Sequence, residues 1–127
     1  MQVEGANAEA KQNWPGSSVA AGPFVMDSSK PASELLEESM AIMSHEMMRA
    51  PMSGDPDRDF VSMMIPHHQG AIDMAKVEVL YGKDPALRRL AQEIIVTQGS
   101  EIALMERGLR TMRSFEQHDP SKKDATR

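Results

Sequence analysis

The run Met63-Met64-Ile65-Pro66-His67-His68-Gln69-Gly70-Ala71-Ile72-Asp73-Met74 places two imidazoles and three thioethers within about three helical turns. Thioether sulfur and imidazole nitrogen are the donors that a soft, thiophilic cation such as Cu(I) prefers. The chain carries twelve Met and no Cys, a choice that suits metal handling where thiols would oxidise. On a helix turning roughly 100° per residue, Met63, His67, Gly70 and Met74 share one stripe, and Met64, His68, Ile72 and Val79 share another. Two Met-x-x-x-His pairs result, at the spacing where helical side chains meet. His67 and His68 diverge by one residue's rotation, so each is expected to use its own Met rather than chelate one ion together. Gly70 and Ala71 leave room for a second helix to come close.

Further donors lie outside this run. On the segment before it, Leu36, Met40, Met43 and Met47 share a helical face, while His45 and Met48 lie on a different one. On the segment after it, Leu87, Ala91, Ile94, Gln98, Glu101, Met105, Leu109 and Met112 form one stripe, apolar except at Gln98 and Glu101. Burying a carboxylate or amide without a partner costs several kcal/mol at worst. Glu101 or Gln98 is therefore expected to hold a histidine ring from the middle helix, as a carboxylate behind a metal-bound imidazole does. Each feature also has a structural explanation. A lone helical histidine is more often structural than a ligand, and Met fills irregular cores and lines adaptable grooves. Met40, Met43, Met105 and Met112 fit core packing; for Met63, Met64, His67, His68 and Met74 the doubled spacing favours ligation.

Three helices must position these groups. The first is expected from about Ser33, read as the N-cap, to Arg49, stopped by Pro51 and Gly54. Asp55-Pro56 and Asp84-Pro85 repeat one start signal, a capping carboxylate before a proline at the first helical position. The second helix should reach Tyr81 and stop at Gly82, and the third should run from Pro85 to about Phe115. Pro66 inside the second removes the bond to the Ser62 carbonyl, so a bend one turn before the histidines is expected. Short connections make neighbours antiparallel. The expected organisation is an irregular arm over residues 1–31, with Trp14, Phe24 and Val25 able to pin it, a helical bundle over 32–115 and a flexible tail over 116–127.

Composition narrows the function. A chain of 127 residues supports one modest core, and with one Trp, one Tyr and three Phe that core must be aliphatic and Met-built, which favours an all-α bundle. The net charge is -5 and the basic residues are scattered, which argues against nucleic-acid binding. No apolar run reaches bilayer-spanning length and no signal-peptide core is present, so a signal is expected to have been removed if the protein is exported. His45-Glu46-Met47-Met48-Arg49 opens like a zinc-protease helix but has Arg49 where the second histidine belongs. Glu-x-x-His, a phosphate loop and a Cys-x-x-Cys-His haem attachment are all missing. Non-covalent haem with one His and one Met ligand is a minor alternative. No nucleophile or general base accompanies the cluster, so no enzyme activity is expected.

The segment Asp59 to Ala75, followed by Ile94-Ile95-Val96-Thr97-Gln98-Gly99-Ser100-Glu101-Ile102 and Met105, closely resembles the bacterial domain-of-unknown-function family 305 (DUF305), which includes the CopM-like copper-binding proteins. The resemblance covers about Ser33 to Leu109. It implies a ferritin-like up-down bundle of three to four helices and a periplasmic or extracellular location. It also implies copper binding through Met63, Met64, His67, His68 and Met74, and more loosely through Met40, Met43, His45, Met47 and Met48. The departure is at Arg110-Thr111-Met112, where an aromatic would be expected. The expected function is sequestration or transfer of Cu(I), or Ag(I) by similarity, with a delivery protein as partner. Three helices bury less than four, so a homodimer is expected to cover an apolar flank. The rival reading is a Met-lined module that takes a partner helix, its histidines being structural.

Overall fold

In the computed structural model, residues 23–118 are described, and their regular structure is three helices with no strand among the described residues. Helix α1 spans Ala32–Arg49, α2 spans Pro56–Tyr81 and α3 spans Pro85–His118. The fold is an all-α bundle, as the aliphatic composition favoured. Of the expected arm, residues 1–22 with Trp14 lie outside the described residues; Phe24 is half-buried and Val25 is exposed.

The two Asp-Pro starts work as the residues dictate. Asp55 Oδ1 accepts from the Asp57 amide at 3.2 Å, and Asp84 Oδ1 accepts from the Leu87 amide at 2.9 Å, with Pro56 and Pro85 in the first turns. Helix α1 begins differently from expectation. It starts at Ala32 with Pro31 as the cap, so Ser33 sits inside the first turn and caps nothing. The Pro31 carbonyl takes the Glu34 and Leu35 amides directly, and its fixed φ of -69° already suits the entry. At the other end Ala50, preceding Pro51, is extended, and the helix stops. Gly54 turns the connection with φ +89°, a conformation that L side chains rarely adopt. Asp59 reaches back to hold that connection, accepting from the Ser53 amide and hydroxyl and the Gly54 amide at 2.7, 2.8 and 3.0 Å. Those donors keep its carboxyl below the usual range.

Helix α2 continues through Pro66 as one element. It is also the centre of the molecule, since α1 and α3 each pack along it and scarcely approach one another. The register on both sides can be read from contacts. Tyr81 donates its hydroxyl to the Lys30 carbonyl at 2.8 Å, Met43 lies over Gly70, and Ser53 meets Asp59, which fixes α1 antiparallel to α2. Arg88 Nε donates to the Val79 carbonyl, His68 meets Glu101, and Arg58 pairs with Glu116, which does the same for α3. The last of these pairs, with His118 Nδ1 2.8 Å from the Ser114 carbonyl, accompanies a third helix that runs past Phe115 to His118.

The core is small: Leu35, Ala41, Val61, Ile72, Ala75, Val77 and Ala91 are its buried apolar residues. Its closest approach is at Gly70. A Cβ there would lie 2.5 Å from Met43 Sδ and 2.8 Å from Met43 Cβ, so the side chain cannot swing clear by moving its tip alone. Gly70→Ala should gain about 1 kcal/mol of helix propensity yet lose more to overpacking of about 1–3 kcal/mol. A net loss near 1 kcal/mol, read as a lower urea midpoint with unchanged slope, is the expected result.

Candidate functional site

The register distributes the sulfur and imidazole donors over two flanks of α2. Toward α3, His68 Nε2 stands 2.6 Å from Glu101 Oε2. This is the meeting of a middle-helix histidine with Glu101 that the stripe on α3 suggested. With the ring proton on Nε2 donated to the carboxylate, Nδ1 carries the lone pair, and Nδ1 is buried with no hydrogen-bond partner among the described residues. Met64 lies one turn before His68, and the antiparallel register brings Met105 of α3 to the level of Met64. All three are half-buried. Gln98, one turn before Glu101, does not hold a ring: its Oε1 is buried without a partner.

Toward α1, Met63 and His67 form an exposed pair on one stripe of α2. The position of Met43 on Gly70 puts half-buried Met47 at the level of Pro66 and His67, and Met40 at the level of half-buried Met74. His67 and His68 have ring centroids 6.2 Å apart and planes tilted by 60°, so the two rings lead to different flanks. His45 and Met48 are exposed, and stand about 200° and 140° around α1 from Met43. They face away from α2 and join neither group. Met105 belongs to the α3 flank although its position on an apolar stripe favoured core packing. The signal that would have found it is its spacing of four from Glu101. Among the described residues no three His, Asp or Glu side chains cluster, so the donor sets available here are built on thioether and imidazole.

One further ionisable group is enclosed. Asp73 is 3% exposed, and its Oδ1 accepts from Gln69 Nε2 at 3.0 Å. Burial raises its carboxyl above the ordinary value of 3.8, with the Gln69 bond and Lys76 opposing more weakly. Well below pH 3.8 the acid is neutral folded and unfolded, and costs nothing through ionisation. As pH rises from there through the folded-state value, the unfolded chain ionises first and the fold loses stability, and the penalty stays constant above. Asp73→Asn keeps an acceptor for Gln69 without the charge. It should stabilise the fold at pH 7 by roughly 1 kcal/mol, and by nothing below pH 3.5, in thermal melts across that range.

These features define an all-helical bundle with Met- and His-bearing flanks on either side of its middle helix. The family model described as "Domain of unknown function (DUF305)" matches residues 5–109, and the chain belongs to that family. It is also similar to the uncharacterized protein L153 of Acanthamoeba polyphaga mimivirus, 46% identical over 46 residues, a match covering 36% of this chain and 30% of that protein. No helix among the described residues is long and apolar enough to cross a membrane.

Proposed function

We propose that the chain binds a soft cation, Cu(I) first and Ag(I) by chemical similarity, and sequesters it or passes it on in the bacterial envelope without turnover. The observation that carries this reading is the state of His68. One ring nitrogen is held by Glu101, and the other is buried with no hydrogen-bond partner among the described residues; with the proton on Nε2, it presents a lone pair. A carboxylate that orients an imidazole and raises its basicity is the usual partner behind a metal-bound histidine. The lone pair would bind the ion with thioether sulfur from Met64 and Met105. On the opposite flank Met63, His67 and Met47 would supply a more exposed set, with Met40, Met43 and Met74 further along. Within its family the chain would then be a CopM-like copper-binding protein of the bacterial envelope.

The test is anaerobic competition against a Cu(I)-specific chelator. Wild type should withdraw Cu(I) from the chelator, His67→Ala/His68→Ala should not, and loading with Zn(II) or Ni(II) should give lower stoichiometry. A wild type that takes no Cu(I), or that prefers the harder ions, overturns the reading. The alternative is a Met-lined interaction module, favoured by the exposure of Leu104 and Phe115 on α3. Under that alternative the histidine variants would leave partner binding intact.

A further inference from the structure

Because α1 and α3 stand apart across α2, a groove of about 460 Å³ remains between them. Ile42, Ile65 and Ile102, one from each helix, give it aliphatic walls. Its ionisable lining is mainly acidic. Asp73 lines it while 3% exposed; one carboxylate oxygen takes the Gln69 amide, and the other accepts no hydrogen bond among the described residues. Pro66 has no amide proton to give the Ser62 carbonyl, and both residues line the same groove. Glu46 of α1 and Glu106 of α3 are exposed on facing walls, and Arg49 is the cationic side chain among the lining residues. Three carboxylates against one guanidinium leave two negative charges to be met.

A buried acceptor in the depth, aliphatic walls and carboxylates at the mouth complement a hydrocarbon chain that carries an ammonium at each end. We infer that this groove binds a linear aliphatic diamine or polyamine, with one ammonium on the free oxygen of Asp73 and the other between Glu46 and Glu106. The apolar methylenes lie along the three isoleucines. The inference does not rest on the metal reading: Met43 is the one proposed metal donor that lines the groove, and neither His67 nor His68 does, so failure of either leaves the other standing.

Calorimetric titration of the full, metal-free chain with 1,5-diaminopentane tests it. The expected result is saturable one-to-one binding that Asp73→Asn weakens by about tenfold or more, the worth of one charge-assisted hydrogen bond. Glu46→Gln/Glu106→Gln should weaken it as well, and 1-aminopentane should bind less tightly than the diamine. Since Asp73→Asn is expected to be the more stable protein, loss of binding there is not loss of fold, and circular dichroism verifies it. Three results would overturn the inference: undiminished binding by folded Asp73→Asn, equal binding of 1-pentanol, or an equal loss on Glu34→Gln/Glu37→Gln, which lie on α1 outside the groove.

Discussion

Glu101→Gln should lower Cu(I) affinity by about 10- to 100-fold, the usual effect of removing a carboxylate that orients a metal-bound histidine. The side chain keeps its length and its position on α3, so packing is little changed. What changes is the group facing His68 Nε2 at 2.6 Å. A carboxylate can only accept, which commits the ring proton to Nε2 and the lone pair to Nδ1. An amide can present either its oxygen or its NH2, so the tautomer is no longer fixed, and the negative charge that strengthens the imidazole as a donor is lost. His68→Ala should do at least as much damage, because the nitrogen itself goes. His67→Ala should cost less, since that ring lies on the exposed flank. Equal losses for the two single histidine variants, or undiminished affinity in Glu101→Gln, would contradict the assignment of His68 as the principal nitrogen ligand.

Leu35→Ala is expected to remove about 3 kcal/mol of stability, within the 2–5 kcal/mol span for buried leucines. Leu35 is fully buried, and the α1–α2 register sets it at the level of Val77, which is 1% exposed. Truncation there loses transfer energy and leaves a cavity that two helices on a tight register cannot close. The core offers little reserve, since among the described residues four of the seven buried apolar side chains lie on α2 and Ala91 alone represents the long α3. For a domain of this size the loss corresponds to a fall in Tm of roughly 15 °C. Leu104→Ala, at an exposed position of α3, is the control and should change Tm little. A loss below about 1 kcal/mol for Leu35→Ala would mean that α1 is not seated on α2 as described.

Local chemistry made much of this legible. The Asp-Pro pairs announce α2 and α3 because a capping carboxylate and a pre-set φ act within four residues, and both work here. Gly70 signalled a close helix approach, and Met43 lies on it. Glu101 on an apolar stripe announced a polar partner, and His68 is that partner. The cap of the first helix lies two residues before the expected Ser33 because a serine side chain competes with a proline carbonyl that needs no side chain at all. Periodicity also identifies an apolar stripe without saying what covers it. Leu87 and Leu90 on α3 are about half exposed, whereas Ala91 beside them is buried. The groove was not legible, because it arises from the separation of two helices that are far apart in sequence, and no local pattern encodes that distance.

The central place of α2 has a kinetic consequence. Each helix packs almost entirely on its neighbours in the chain, so nearly every contact between the helices joins segments separated by a single short connection. Loop closure is then cheap, and the rate of assembly should be high, in the microsecond to millisecond range typical of local helical topologies. The α1–α2 and α2–α3 hairpins can each form without waiting for the other, since neither needs a surface that only the complete trio provides.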